Sequence, residues 1–336
     1  MYLEYYHLSQ KPFQINTDPA FLWLGEKHKE ALATLRYGLY ENKSFLVLTG
    51  DIGVGKTTVI NSLLQMLDKK DRVVAIHDPG LEKLDFFKHL ADAYGIPGSY
   101  TSKGEFINAF SKFLLKSHYR GRRVLLIIDE AQLLTHELLE EIRLFSNLEK
   151  NGVKLINIFF VGQMEFNEIL LRKENKAIRQ RIAVNYNIDP LTLKETAKYV
   201  GFRLSVAGSN RKIFDAGAIR EIYRFSNGYP RLINVIADRA LLTGFTQSAR
   251  RINRGIIREC ATELDISRVM LLSGQRNGKN GNADRKSGRE NEGSRLIYLL
   301  YPVLVALMVF ILYYFSDVIL NLFPERILLF LSGIKL

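Results

Sequence analysis

Short apolar runs alternate with amphipathic segments between residues 45 and 190, and this alternation predicts strands that alternate with helices. The buried-strand candidates are FLVLT (45–49), RVVAIH (72–77), RVLLIID (123–129) and KLINIFFVG (154–162). These runs lack strict alternation of apolar and polar positions, which is typical of strands covered on both faces. One intervening segment repeats apolar residues at helical spacing, at Leu138, Ile142, Phe145 and Leu148. The pattern predicts an α/β fold with a parallel sheet and helices on both faces.

After Pro190 the pattern changes to helices alone. The sequence TLKE at 192–195 is a capping box, and apolar residues follow it on one helical face. Further helices are predicted at 215–225, from Pro230 onwards, and at 252–266. Proline fits the start of a helix because the N–H that it lacks would have no helical partner there. We therefore expect an α/β domain at residues 1–190 and a small α-helical lid domain at 191–268.

The remaining chain is first polar and then strongly apolar. Residues 273–295 contain much Gly and Asn and few apolar side chains, so a disordered basic linker is expected at 269–295. Residues 296–315, LIYLLYPVLVALMVFILYYF, carry no charge and are long enough to cross about 30 Å of hydrocarbon. A buried core helix of this length normally carries a polar stripe, and none is present. We predict a C-terminal transmembrane helix.

Basic residues are distributed unevenly around this predicted span. Those that precede it are Arg276, Lys279, Arg285, Lys286, Arg289 and Arg295, whereas only Arg326 and Lys335 follow it. The positive-inside rule then places the N-terminal side in the cytoplasm, as in a single-pass protein of the inner (plasma) membrane. The tail, residues 316–336, is interrupted by PER at 324–326, and a short amphipathic interfacial segment is favoured there over a second span.

Composition restricts the possible functions less than these patterns do. The net charge of +12 and the pI of about 9.6 favour an anionic partner, but nucleic acid, lipid head groups, acidic polymers and nucleotides all qualify. Cys260 is the one cysteine, so an internal disulfide is excluded, and a buried thiol on a helix is expected. The N-terminus lacks a basic stretch followed by an apolar run, so no cleavable signal peptide is expected.

The strongest chemical signal is GDIGVGKT at 50–57, which fits the phosphate-binding pattern G-x-x-x-x-G-K-[ST] between a predicted strand and a predicted helix. Its glycines let backbone N–H groups surround phosphates, and the helix N-terminus adds its positive dipole end. Lys56 can reach the β- and γ-phosphates, and Thr57 can place its hydroxyl on Mg²⁺. The expected nucleotide-binding residues of this loop are Gly50, Asp51, Ile52, Gly53, Val54, Gly55, Lys56, Thr57 and Thr58.

A second motif, LLIIDEA at 125–131, is an apolar strand that ends in two carboxylates. Asp129 is expected to hold Mg²⁺, and Glu130 is expected to orient and polarise an attacking water. Alone the motif is common, but it follows the phosphate loop by about seventy residues. A water-activating Glu130 favours hydrolysis over transfer to a small acceptor.

Four further side chains have two interpretations each. Gln163 ends the strand INIFFVGQ, where it either positions the water or caps the next helix. Arg179 and Arg181 precede a strand, and one of them either reaches the γ-phosphate of a neighbouring subunit or both belong to a solvated basic turn. Arg231 lies in the first turn of a helix, where a cation opposes the dipole, so either a nucleotide phosphate or a surface ion pair is its partner.

Together these stretches resemble AAA+ ATPases of the general secretion pathway protein A type, and more closely the related ATPases beside exosortase and exopolysaccharide loci. The resemblance covers residues 1–265 and rests on YYHLSQKPFQINTDPAFLWLGEKHKEALATLRYGL (5–39), FLVLTGDIGVGKTT, LLIIDEAQ, LFSNLE, VGQMEF, IRQRI and NGYPRLINVIADRALL. It implies a P-loop AAA+ core with a helical lid, ATP and Mg²⁺ as ligands, and a ring-like, hexamer-like homo-oligomer with nucleotide at subunit interfaces.

The resemblance also implies roles for particular residues. It makes Gln163 the first sensor, Arg231 the second sensor, and either Arg179 or Arg181 the arginine that acts in trans. It further implies that the N-terminal stretch, with Pro12, Phe13 and the region 37–38, packs near the adenine. Secretion-pathway members usually carry a periplasmic peptidoglycan-binding domain after the span, whereas only residues 316–336 follow it here, so the exosortase-associated form is the expected match.

The function expected from all of this is a membrane-anchored AAA+ ATPase that drives or regulates an envelope machine for secretion or exopolysaccharide export. Its partners would be inner-membrane export or assembly proteins. The first alternative is a DNA-associated regulator related to transposition ATPases, although the sequence shows no helix-turn-helix or added nucleic-acid module. The second alternative is a nucleotide-dependent switch that rarely turns over.

Overall fold

A computed structural model describes residues 1–15, 18–209 and 211–264. The predicted linker, span and tail, at 269–336, lie outside these residues. Within the described ranges, no helix is both long and apolar enough to cross a membrane.

Five of the seven strands in the described residues form a parallel sheet. The strands are β1 (Phe45–Gly50), β2 (Arg72–Ile76), β3 (Val124–Ile128), β4 (Glu149–Lys150), β5 (Val153–Lys154), β6 (Asn157–Gly162) and β7 (Ile182–Ile188). Five of them pair in parallel in the order β2-β3-β6-β1-β7, and β4 and β5 form a short antiparallel hairpin. The α/β prediction is therefore confirmed. Because β3, β6 and β1 are parallel neighbours, the loops that follow these three strands meet at the carboxyl end of the sheet.

Helices connect the strands and then continue alone. They are α1 (Tyr2–Tyr5), α2 (Glu26–Tyr40), α3 (Lys56–Gln65), α4 (Lys83–Tyr94), α5 (Lys103–Tyr119), α6 (His136–Phe145), α7 (Glu165–Leu171), α8 (Lys176–Arg179), α9 (Leu193–Val206), α10 (Ala216–Ser226), α11 (Pro230–Thr246) and α12 (Arg254–Glu263). The capping box predicted at the start of α9 is present, since the side chains of Thr192 and Glu195 bond reciprocally to backbone N–H groups.

Alternate residues of β1 serve two separate apolar cores. Phe45 and Val47 face a core built with α4, α5 and α6, in which the rings of Phe87 and Phe106 stack at 4.7 Å. Leu46 and Leu48 face the other core, which α2 and α3 cover. Helices therefore lie on both faces of the sheet, which explains why its strands read as unbroken apolar runs.

The four helices α9–α12, which we call the helical region, have a core of their own, and the N-terminus belongs to it. Tyr2, Tyr6, Phe13 and Phe21 are buried among these helices. The Tyr2 hydroxyl donates a hydrogen bond of 2.6 Å to an Asp238 carboxylate oxygen. This packing was not predicted, because it joins residues more than two hundred positions apart.

The lone cysteine lies in the same core. Cys260 is fully buried on α12, as predicted, and its Sγ lies 3.3 Å from the Thr243 hydroxyl. Burial raises the pKa of this thiol, so the reactive thiolate form is disfavoured.

Candidate nucleotide-binding site

The loop between β1 and α3 has the backbone that its glycines require. Gly53 has φ +80° and Gly55 has φ +106°, values that favour glycine. A Cβ on Gly53 would lie 3.0 Å from the Cβ of Arg231, and one on Gly55 would lie 2.8 Å from Nε2 of His28. Conformation and crowding both require glycine at these two positions. The loop then leads into the N-terminus of a ten-residue helix, a ready site for an anion.

Lys56 is held inside this loop. Its Nζ donates hydrogen bonds to the carbonyl oxygens of Gly50, at 2.8 Å, and of Asp51, at 3.1 Å. Burial lowers the pKa of Lys56, while the nearby carboxylates of Glu130 and Asp129 act in the opposite direction. The ammonium of Lys56 therefore has carbonyl partners in the loop and lies within electrostatic reach of two carboxylates.

A cavity of about 340 Å³ adjoins the loop and brings most of the predicted residues together. Its lining includes Ile52, Gly53, Gly55, Lys56, Thr57, Thr58, Asp129, Glu130 and Arg231. Of the other loop residues, Gly50 and Asp51 contact Lys56 through their carbonyls, and Val54 is fully buried beneath the loop. The two motifs that are separate in sequence thus face one cavity.

Glu130 is the centre of a polar network at the ends of β3 and β6. It lies in the left-handed region, with φ +48°, a conformation that costs energy in a non-glycine residue. Its backbone N–H donates to Asp129 Oδ1 at 2.9 Å. Its carboxylate oxygen Oε2 accepts hydrogen bonds from the side-chain amides of Gln132 and, at 3.2 Å, of Gln163. The predicted pair of Glu130 and Gln163 is therefore in direct contact.

Gln132 completes the network and was missed from sequence. Its Oε1 accepts a hydrogen bond of 2.9 Å from the backbone N–H of Gln163, so the one amide bridges both partners. The available signal was a polar residue two positions after Glu130, on the same turn. His77, at the end of β2, was missed as well; its Nδ1 lies 3.7 Å from Asp129 Oδ2.

The helical region approaches the loop through the start of α11. The backbone N–H of Arg231 donates to the Gly53 carbonyl at 3.4 Å, and the Arg231 side chain lines the cavity. Within the described part of the chain, this side chain has no hydrogen bond or ion pair. A surface ion pair therefore does not account for Arg231 here. The hydroxyl of Tyr229 donates to Asp51 Oδ2 at 2.7 Å, which fixes the same turn to the loop.

A second cavity, of about 460 Å³, continues from the first and has a more aromatic and apolar wall. Phe21, Trp23, His28 and Tyr199 contribute to this wall, and Arg203 lines both cavities. A flat heteroaromatic group fits such a wall. Of the N-terminal residues implied to lie nearby, the Pro12 carbonyl bonds to Arg203, and Phe13 packs edge-on against Phe214.

Tyr37 and Gly38, which the family resemblance implies to lie near the adenine, lie away from this second cavity. Tyr37 is 59% exposed on α2, and Gly38 packs against Leu46 of β1. Neither lines either cavity. The region 37–38 thus supports the sheet and does not contact the site.

Arg179 and Arg181 lie away from both cavities and differ in their contacts. Arg181 is half-buried, and its Nη1 bonds to the Asn147 side chain at 2.5 Å and to the Ser146 hydroxyl at 3.0 Å. Arg179 is exposed, and its guanidinium bonds only to backbone carbonyls, at 3.2 Å from Leu171 and 3.5 Å from Leu170. Arg181 is therefore tied to the end of α6, whereas Arg179 is exposed and held only by two backbone carbonyls.

Comparison with known proteins agrees with this geometry. The family model described as an AAA domain matches residues 39–170. General secretion pathway protein A of Aeromonas hydrophila is 37% identical over 265 residues, which cover 79% of this chain and 48% of that protein. The chain thus spans about half the length of this relative.

Solved structures show the same fold at low identity. Cdc6p from Pyrobaculum aerophilum aligns with a TM-score of 0.55 at 18% identity, over 74% of this chain and 71% of that one. A chain of Drosophila ORC bound to DNA aligns with a TM-score of 0.57 at 16% identity, over 82% and 69%. These likenesses concern the fold alone.

Proposed function

Because the chain is an AAA+ protein related to general secretion pathway protein A, we propose that it hydrolyses ATP to drive or regulate assembly of an envelope secretion or exopolysaccharide-export machine. The observation that carries the hydrolytic part is the contact of Glu130 with Gln132 and Gln163 beside the loop that holds Lys56. A general base needs a fixed carboxylate next to the phosphate site, and this network supplies one.

The triphosphate would lie along the loop. Lys56 would exchange its carbonyl contacts for the β- and γ-phosphates, and backbone N–H groups of residues 53–58 would surround them. The free cation of Arg231 would contact the γ-phosphate from the helical region. The aromatic cavity beside Phe21, Trp23 and Tyr199 would hold the base.

A magnesium ion fits the same place. The Thr57 hydroxyl and the Asp129 carboxylate both line the phosphate cavity, and oxygen ligands of this kind suit Mg²⁺. When bound, the ion would neutralise phosphate charge. The chain itself would orient the attacking water through Glu130, whose Oε2 is held by two amides, and Gln163 would report on the γ-phosphate through that contact.

For the arginine that acts in trans, the geometry favours Arg179. An arginine that serves a neighbouring subunit must be exposed and weakly held in its own subunit, and Arg179 meets both conditions. Arg181 would have to break bonds to Ser146 and Asn147 first. Hydrolysis would then depend on assembly into a ring, with Arg179 completing the site of the next copy.

The proposed function includes a membrane anchor. The apolar run 296–315 would hold the ATPase at the cytoplasmic face of the inner membrane, beside the machine that it serves. A tether of this kind raises the effective concentration of the motor at its partner. Support comes from the charge distribution around the run and from the relationship to a secretion-pathway protein.

The test of the hydrolytic step is the substitution Glu130→Gln in the full chain, with Glu137→Gln as the matched control, since Glu137 is an exposed glutamate on α6. We expect Glu130→Gln to lower the ATP hydrolysis rate by about 10²-fold or more, while ATP affinity changes little. The control should keep both. A normal rate in Glu130→Gln would instead favour the nucleotide-dependent switch.

The same variant tests the partner class. A protein that binds ATP without hydrolysing it should retain its partners, so crosslinked Glu130→Gln is recovered from its own membranes with ATP present. Enrichment of inner-membrane export or polysaccharide-synthesis proteins is the expected result. Capture of DNA and DNA-bound proteins that is lost on nuclease treatment would support the second candidate, a DNA-associated regulator, for which the net charge of +12 is the motivating observation.

A further inference from the structure

The helical region and the N-terminus line another cavity, which is strongly charged and shares no lining residue with the two cavities of the nucleotide site. Its volume is about 680 Å³, and four of its lining residues are cations: Arg211, Lys212, Arg250 and Arg251. None of its lining residues is an aspartate or glutamate. The function proposed above does not use this cavity.

Backbone pairing brings the four cations together. The Ile252 N–H donates to the Ile213 carbonyl at 2.8 Å, and the Asp215 N–H donates to the Ile252 carbonyl at 3.0 Å. These bonds align segment 211–214 with segment 250–252, so that two basic pairs meet side by side. The Tyr6 hydroxyl donates to the Ala249 carbonyl at 2.9 Å and closes one wall of the cavity. The cavity is thus part of the fold of the helical region.

The cations have no partner in the described part of the chain. The side chains of Arg211, Lys212, Arg250 and Arg251 form neither a hydrogen bond nor an ion pair there. Elsewhere in the helical region arginines pair with carboxylates, as Arg258 does with Glu221 at 2.7 Å and Arg239 with Glu263 at 2.7 Å. Four unpaired like charges around one cavity repel one another, and an anion in the cavity relieves that repulsion.

An aromatic side chain borders the basic residues. Tyr5 is half-buried, and its ring packs edge-on against Tyr6 at 4.9 Å and Phe245 at 5.6 Å. Tyrosine is enriched at membrane–water interfaces, where its ring lies at the level of the head groups. A concave site of about 680 Å³ has the size of a small-ligand pocket, which favours a compact phosphate head group over the extended backbone of a duplex.

We propose that this cavity binds the phosphate head groups of anionic phospholipids and docks the helical region on the membrane surface. The proposal rests on the membrane anchor of the proposed function. Residues 265–295 join the helical region to the apolar run 296–315. Of the described parts of the chain, the helical region is therefore the one nearest in sequence to the proposed membrane anchor. Docking would orient the ATPase instead of leaving it free on its tether.

The experiment uses the full chain in nanodiscs of phosphatidylcholine, with or without phosphatidylglycerol. A dye on Gln247→Cys, an exposed position three residues before Arg250, reports energy transfer to a dye on the lipid head groups. Cys260 is buried, so it should not compete for the label. The test variant is Arg250→Gln with Arg251→Gln, and the matched control is Lys194→Gln with Lys198→Gln, which removes two exposed cations from α9.

We expect phosphatidylglycerol to increase the transfer in the parent chain and in the control. The test variant should lower the ratio of docked to undocked chain about 30-fold. This estimate takes about 1 kcal/mol of membrane-binding free energy for each of the two cations that the variant removes near an anionic surface. Equal transfer in both kinds of disc would overturn the proposal. So would a phosphatidylglycerol response that the test variant retains.

Two further outcomes distinguish the head-group site from the membrane anchor. If the chain does not insert into discs, the predicted anchor is wrong, and the labelled chain is then mixed with phosphatidylglycerol vesicles. Vesicle binding that requires Arg250 and Arg251 supports the head-group site without the anchor, whereas absence of binding overturns both the head-group site and the anchor. If duplex DNA abolishes the transfer and itself binds through the same two arginines, the cavity is a nucleic-acid site and the lipid proposal is wrong.

Discussion

The hydroxyl of Tyr229 donates a 2.7 Å hydrogen bond to Asp51, which joins the start of α11 to the phosphate loop. Two residues further on, the Arg231 N–H bonds to the carbonyl of Gly53 in the same loop. The helical region and the loop are therefore linked at two points, and Arg231 also lines the cavity that adjoins the loop. A nucleotide in that cavity would be enclosed by groups that are already connected.

Substituting Tyr229→Phe removes one of these links and little else. Hydrogen bonds to charged acceptors contribute about 1.5–3 kcal/mol, and we expect about 1 kcal/mol here because Tyr229 is only half-buried. The melting temperature should fall, and ATP affinity should fall several-fold as Arg231 loses its fixed position. Thermal unfolding and nucleotide titration measure the two effects.

The matched control is Tyr223→Phe. Tyr223 is also half-buried in the helical region, but its hydroxyl bonds to no described residue. It should leave stability and affinity nearly unchanged. Equal effects of the two substitutions would show that the contact with Asp51 contributes nothing specific.

The Gln163→Ala substitution should mainly slow turnover. It removes the 3.2 Å contact with Glu130, and that contact orients the carboxylate and does not bind the base or sugar. We expect kcat to fall about 10- to 100-fold with KM within a few-fold of the parent, since general-base positioning acts on the chemical step. Steady-state ATPase kinetics measure the split, with exposed Gln180→Ala as the control. A change confined to KM would contradict a role for this contact in catalysis.

Sequence predicted the parts of this site that are local in the chain. Lys56 and Glu130 each follow an apolar strand, and a few consecutive residues are enough to predict such a strand and the loop after it. The contact of Gln132 with both Glu130 and Gln163 could not be predicted, because it depends on which strands are neighbours in the sheet. The packing of the N-terminus against the helical region could not be predicted either, because it joins residues that are distant in sequence.

The difference between the two arginines of the trans pair also required the structure. Arg179 and Arg181 are alike in sequence, and only the contact of Arg181 with the end of α6 separates them. The basic cavity could not be predicted for a similar reason. Residues 211–212 and 250–251 are short basic pairs that lie far apart in the sequence, and the backbone hydrogen bonds of Ile252 bring them together around one cavity.

Gly228 should be far less tolerant of a side chain than Gly95. Both have positive φ, +80° and +67°, so alanine is strained by about 1–2 kcal/mol at either position. At Gly228 a Cβ would also lie 1.9 Å from the carbonyl oxygen of Leu191, whereas at Gly95 it would meet nothing within 4 Å. We expect Gly228→Ala to destabilise the fold by several kcal/mol and Gly95→Ala by only the backbone strain of about 1–2 kcal/mol.

Chemical denaturation of both glycine variants tests this difference. The difference between the two variants measures the free-energy cost of the steric clash at Gly228, because the cost of backbone strain is the same in both. If Gly95→Ala costs as much as Gly228→Ala, the close approach of Gly228 to Leu191 is not what fixes the start of the helical region.

His28 should make the fold sensitive to mild acid. It is 3% exposed beside the phosphate loop, and its Nε2 lies 2.7 Å from the carbonyl oxygen of Val54. A carbonyl can only accept, so Nε2 carries the proton of the neutral ring. Burial is the largest cause of the lowered pKa of His28, and it outweighs the hydrogen bond to Val54.

The sign of the effect follows from proton counts. Between the lowered folded pKa and the unfolded value of about 6.5, the unfolded chain binds a proton that the folded chain does not. The free energy of unfolding therefore falls as pH falls below about 6.5, by at most about 1.4 kcal/mol per pH unit from this one group. His28→Gln, which keeps a donor for Val54, should reduce that slope, while His89→Gln, at an exposed position, should not. Urea unfolding across this pH range measures the slope, and an unchanged slope in His28→Gln would assign the acid sensitivity to other groups.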